Sequence, residues 1–216
     1  MSLGVDALLR AEGRFALGHG PLPLGRLIGI VLLGGFTYGA AMGCFGLRPL
    51  QALYSGLKVP LLIATATALC LPMFFVLNTL LGLRDDFGAA LRGVLSAQAT
   101  VAVMLAACAP LVLLAYATSS DYVFGMRANG GLFLLAALAG QRTLERHYEP
   151  LVRRDPLHAR VKRAWLVLYV FVAIQAAWVL RPFVGDPNYE PTFLREDLWS
   201  NAYVVILRDV LGLWRR

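Results

Sequence analysis

Charge is what this chain has least of. Of its 216 residues, 15% are Asp, Glu, Lys or Arg and 58% are hydrophobic, with a mean hydropathy of +0.65. A soluble domain of this length carries about a quarter charged residues, and no polar stretch here is long enough to bury a core of its own. Reactive side chains are equally scarce. The three cysteines, Cys44, Cys70 and Cys108, fall inside apolar runs. Their odd number argues against a disulfide framework, and they read as small buried hydrophobes. The three histidines, His19, His147 and His158, all lie outside the apolar runs and are expected to be solvated loop residues. No span offers the His ligand that haem or a chlorophyll-type pigment usually takes. Neither His147 with Glu145 and Glu149 nor His158 with Asp155 makes a zinc set. Arg84, Asp85 and Asp86 read as a charge-balanced turn. Hydrolase motifs and phosphate-cradling loops are missing. The expectation is a chain with no catalytic site, no metal and no cofactor.

What the chain does have is apolar runs close to the ~20 residues that a hydrocarbon core of about 30 Å demands. Five are readable: Leu27–Leu47, Val59–Leu83, a third within Gly93–Ser120, Ala128–Gln141, and Ala164–Leu180. The fourth becomes long enough when Tyr122–Met126 is included and Arg127 snorkels to the interface. These runs predict an all-α polytopic bundle of about five spans. A cleavable signal is not indicated, because charged residues precede a first run that is too long for one. Ser2–Glu12 is predicted as a short surface helix ended by Pro21 and Pro23. The chain then divides into an N-terminal segment (1–26), a five-span domain (27–180) and a C-terminal segment (181–216).

Net charge is +7, from 20 basic residues of which only Lys58 and Lys162 are lysine. The basic residues sit between the apolar runs, which points to topology and anionic lipid and away from nucleic acid. Twelve lie on the side of the N-terminus and eight on the other. Seven of the twelve crowd one connection: Arg142, Arg146, Arg153, Arg154, Arg160, Lys162 and Arg163. The positive-inside rule makes that side, and the N-terminus, cytoplasmic, in a bacterial inner membrane. The same residues are the expected contacts for anionic headgroups or partner subunits. The C-terminal segment begins as a proline-rich loop. Leu198–Trp214 then reads as an amphipathic helix in the interface, with Trp199, Tyr203 and Trp214 on its apolar face. A sixth crossing is the alternative, and it would bring Arg208 and Asp209 to mid-membrane.

Within the spans, Gly35, Gly39 and Gly43 recur at four-residue spacing. Small residues on one helix face let a second helix approach closely. That helix belongs either to a partner or another copy, or to this chain's own spans. Pro60, Pro72 and Pro110 predict kinks. Asn78 and Gln175 are expected to bond to neighbouring helices, and with Gln98 they are the main polar groups available to line a path.

The five-span plan with a cytoplasmic N-terminus resembles the bacterial branch of the Yip1-like proteins over roughly Leu27–Leu180. The acidic-aromatic signature of the eukaryotic members is absent, so their vesicle-traffic role does not carry over. The stretch WVLRPFVG at 178–185, with FLRE at 193–196 and NAY at 201–203, resembles a motif of uncharacterised polytopic bacterial membrane proteins. The expected function is a non-catalytic membrane subunit or scaffold that contacts other membrane subunits, or itself, through helix faces and its tail. The alternative is a passive channel or permease for a small solute.

Overall fold

The structure is a computed structural model that describes residues 5–10, 20, 22–194 and 202–204. Among these residues the chain is all-α, with α1 (Val5–Arg10), α2 (Leu24–Gly43), α3 (Pro49–Leu80), α4 (Phe87–Thr118), α5 (Tyr122–Arg154) and α6 (Leu157–Leu180). Helices α2 to α6 are each long and apolar enough to cross a bilayer, and the chain is a multi-pass membrane protein. Helix α3 has 32 residues, α4 has 32 and α5 has 33. At 1.5 Å per residue each is about 50 Å long, well beyond a hydrocarbon core of about 30 Å. Their ends therefore project from the apolar slab.

Local chemistry sets the turns. Helix α2 stops at Gly43, and the chain reverses through a short 3₁₀ turn, Phe45–Leu47, in which Gly46 takes φ 69°. Helix α3 ends in a Schellman arrangement. Gly82 adopts φ 75°, its N–H bonds to the Thr79 carbonyl, and the Leu83 N–H bonds to the Asn78 carbonyl. Glycine suits that left-handed position because it has no Cβ to clash. Helix α5 begins with Asp121, whose carboxylate accepts from the Val123 N–H.

The packing order runs α6, α3, α2, α4, α5, with α2 in the middle between α3 and α4. The glycine face of α2 is what allows this. Gly35 lies on Pro60, Gly39 on Ser55 and Gly56, and Gly43 on Gln51 and Ala52, all within α3. A Cβ on Gly39 would come 2.2 Å from the Ser55 carbonyl oxygen, so that face is filled by the chain's own α3. On the other flank, Gly34 meets Ala102 of α4, and Gly140 of α5 meets Ala97 of α4.

Two main clusters form the interior. One joins Tyr38, Met42 and Phe45 to Val59, Ile63, Leu105 and Val112, closed by Val184 from beyond α6. The other lies at the arginine-rich end and joins Phe74, Val94, Leu144, Tyr148, Leu151, Val161 and Trp165. Helix α1 docks beside them through Leu8, which is buried with Leu27, Ile30 and Ala99.

Two expectations need correction. The 142–163 connection is almost entirely helical: α5 continues to Arg154 and α6 starts at Leu157, leaving only Asp155 and Pro156 between them. An uncharged-run criterion ends a span where water-facing side chains begin, but a helix with a polar face continues past that point. Likewise 84–92 is no open loop. A 3₁₀ turn, Arg84–Asp86, leads directly into α4, which carries Arg92.

Replacing Gly39 by Leu should force α2 and α3 apart and destabilise the protein by about 1–3 kcal/mol or more. Gly130→Ala, where a Cβ meets nothing within 4 Å, should be neutral or stabilise by up to about 1 kcal/mol. Thermal unfolding of the two variants in detergent checks the contrast, and equal melting temperatures would contradict it.

Candidate functional site

Where α3 enters the bundle, four hydrogen-bond donors share one helical stripe: Arg48, Gln51, Ser55 and Lys58. Spacings of three and four residues put them on one face. The loop after α6 brings its backbone carbonyls to that face. Arg48 Nη1 donates to the carbonyls of Asp186 (2.9 Å) and Tyr189 (2.6 Å). Gln51 Nε2 donates to Phe183 (3.1 Å) and Pro182 (3.3 Å), and the Ser55 hydroxyl donates to Phe183. Lys58 is fully buried and donates to Pro182 at 2.6 Å and Thr192 at 3.5 Å, with the Phe193 ring 5.1 Å from its ammonium. Burying an ammonium without hydrogen-bond acceptors costs several kcal/mol, and these carbonyls supply the acceptors.

The stretch 178–185 singled out by sequence is the first part of this staple. The Arg181 guanidinium stacks over Trp178 at 3.4 Å. The Arg181–Pro182 bond is cis. Val184 inserts into the core, and a Cβ on Gly185 would meet Gln51 Cγ at 2.8 Å. Within the staple, the Tyr189 side chain points outward and is 73% exposed. Sequence reading placed Lys58 just outside a span and saw no role for Gln51 or Ser55. The available signal was four donors at helical spacing immediately before an apolar run.

Deeper in the bundle, Asn129 of α5 ties three helices. It accepts from the Tyr38 hydroxyl (2.9 Å) and donates to the Tyr116 hydroxyl (2.7 Å) and to the Gly125 carbonyl (2.8 Å). Tyr116 in turn donates to the Met42 carbonyl at 2.9 Å. The polar residues expected to line a path do not converge. Asn78 bonds the Phe74 carbonyl of its own helix, as Thr67 bonds Ile63 and Thr100 bonds Ser96. The i−4 carbonyl is the nearest acceptor a short polar side chain finds inside a helix, which is why Asn78 does not reach a neighbour. Gln98 accepts from the Tyr169 hydroxyl of α6 (2.8 Å), and Gln175 accepts from the Ala202 N–H (3.1 Å).

At the arginine-rich end the histidines are not solvated. His147 is buried on α5 with Nδ1 2.9 Å from the Thr143 carbonyl. His158 is completely buried on α6, with Nε2 3.2 Å from Asp86, and Arg154 lies 3.7 Å from the same carboxylate. Asp86 therefore joins the α3–α4 turn to the α5–α6 turn, where sequence alone suggested a local charge balance. Helical extension of the hairpin turns both imidazoles inward, a placement that loop assignment could not anticipate. Asp155 caps α6 through the Leu157 N–H (2.8 Å).

Arg142, Arg146, Arg153 and Lys162, with Glu145, Glu149 and Val152, line a surface groove of about 450 Å³ between α5 and α6. Arg153 pairs with Glu149 at 2.5 Å, and Arg146 donates to the Leu9 carbonyl of α1 at 2.7 Å. Arg154 turns to Asp86, while Arg160 and Arg163 are exposed outside the groove. Of the predicted tail contacts, Tyr203 stacks on Phe171 with ring centroids 4.3 Å apart and donates to the Phe171 carbonyl at 2.5 Å. Trp199 and Trp214, like His19 and Pro21, lie outside the described residues, as does the Leu198–Trp214 helix apart from Ala202–Val204. No group of three or more His, Cys, Asp or Glu among the described residues could hold a metal ion.

No protein-family model, curated protein or solved structure matches the chain significantly.

Lys58→Met keeps the side-chain volume but leaves the Pro182 and Thr192 carbonyls without their donor. It should lower stability by about 1–3 kcal/mol and open the loop to chymotrypsin after Tyr189. Unchanged cleavage kinetics would refute the staple. Asp86→Asn and His158→Gln should couple by about 0.5 kcal/mol or more in a double-mutant cycle of unfolding free energies, and strict additivity would show the two turns to be independent.

Proposed function

We propose that this chain is a non-catalytic membrane subunit or scaffold that presents a rigid, loop-built face to a neighbouring membrane protein. The observation that carries this reading is the stapled segment 181–194. Its carbonyls are gripped by Arg48, Gln51, Ser55 and Lys58, and within it Tyr189 is exposed. A loop held on a helix is a pre-organised binding surface, because the ordering cost is met on folding and not at contact. The glycine face of α2 cannot serve as the partner contact, since α3 fills it. The contact surfaces are then the loop and the outward face of α6, where Val167 and Ile174 are exposed.

The arginine distribution supports a bacterial cytoplasmic membrane, with the hairpin of α5 and α6 inside and the stapled loop outside. Extraction from native membranes in mild detergent should yield an assembly well above the 23.5 kDa of the chain, with a defined set of companions. A lone monomer would sink the proposal. In the same cells, Arg160→Cys at the exposed hairpin end should react with a membrane-impermeant maleimide only after permeabilisation, and labelling of intact cells would reverse the orientation.

A further inference from the structure

The groove at the arginine-rich end is independent of the stapled loop, and its chemistry points to a different class of ligand. Arg142, Arg146, Glu149 and Arg153 follow one another at three- and four-residue spacing along α5 with Glu145 beside them, and Lys162 faces them from α6. Four cations against two carboxylates leave a local excess of two positive charges. Glu149 is engaged by Arg153, so the excess concentrates at Arg142, Arg146 and Lys162. Arg142 is the first charged residue of α5 after Arg127, and Lys162 with Arg163 precedes the uncharged run 164–180 of α6. Both therefore stand where the helices leave the apolar slab, which is the level of lipid phosphates.

The apolar surroundings match. Going from Arg142 toward the bilayer, Leu138 and Leu134 recur at four-residue spacing on α5, and both are exposed. From Lys162 the same spacing leads through Leu166 to Val170 on α6, with Val170 exposed. Helices α5 and α6 touch only lightly, because α5 packs on α4 and α6 on α3. The residues they share in one cluster, Leu144, Tyr148 and Leu151 with Val161 and Trp165, all lie near the hairpin turn. Above that turn, each helix keeps an apolar flank free of the other's core. We infer that the groove is a specific site for an anionic glycerophospholipid, its phosphate held by Arg142, Arg146 and Lys162 and its acyl chains laid along the Leu134/Leu138 and Val170 flanks. Guanidinium groups suit a phosphate because they donate in a planar fork, and the acyl flanks select a lipid over a free anion. Arg146 already holds α1 through Leu9, so an occupied site also borders the N-terminal helix.

The full-length protein in mild detergent tests this by native mass spectrometry with phosphatidylglycerol, phosphatidylcholine and inorganic phosphate. Phosphatidylglycerol should be retained in preference to phosphatidylcholine, and millimolar phosphate should not displace it. Combined R142Q, R146Q and K162Q should weaken that retention at least about tenfold. R84Q, R160Q and R163Q together remove as many charges from exposed positions outside the groove and should change it less than about twofold. Equal loss in both variants would reduce the effect to general surface charge and overturn the site. Displacement by phosphate would overturn the lipid assignment. If the groove variant cannot be recovered folded, the wild-type protein decides alone, because equal retention of the two lipids refutes specificity.

Discussion

A hydrocarbon slab offers no hydrogen-bond partner, so every buried donor and acceptor of a spanning chain has to be answered from within. Much of the interior of this bundle is organised by that requirement, although buried atoms such as the Tyr148 hydroxyl and Ser96 Oγ have no hydrogen-bond partner among the described residues. Backbone groups are met by the helices themselves. The side chains that carry polar atoms into the interior then act as ties, and where each tie ends decides which helices meet. Asn129 gathers Tyr38, Tyr116 and the carbonyl of Gly125 around one amide. Tyr169 reaches Gln98 across the gap between α6 and α4. Lys58 lies buried where the loop after α6 can surround it with carbonyls.

Close approach of α2 to α3 makes the last of these ties possible. A side chain at Gly39 or Gly43 would displace α3 and, with it, the stripe from Arg48 to Lys58 that holds the loop. The small-residue face and the stapled loop are thus two parts of one arrangement: the first sets the position of α3, and the second uses the donors that α3 presents. The opposite end works by charge. Asp86 accepts from His158 and lies near Arg154, locking two turns together, while the remaining cations face outward around the groove.

Much of the plan is visible without coordinates. Hydropathy alone gives five spans, because burying an uncharged helix in lipid requires only length and apolar composition. The glycine repeat announces a close helix contact but not its partner, since a smooth face fits any equally smooth neighbour. His147 and His158 show the limit on the other side. Read as a polar connection, their segment looks solvated. Read as a helix continuing past the slab, it has an inner face, and both imidazoles fall on it. A count of charges along the chain carries no information about which side of a helix they occupy.

The sequence by itself therefore determined the solvent, the helical class and five runs long enough to cross, together with the concentration of arginine at one end. These depend on composition within a run, a local property. Only the tertiary structure decided that α3 fills the glycine face, that Lys58 is answered by the carbonyls of Pro182 and Thr192, and that Asp86 pairs with His158. Such pairings join residues 72 or more positions apart in the two hydrogen-bonded cases that leave α3 and its following turn. They arise from the order in which helices pack, and no periodicity within one segment encodes that order.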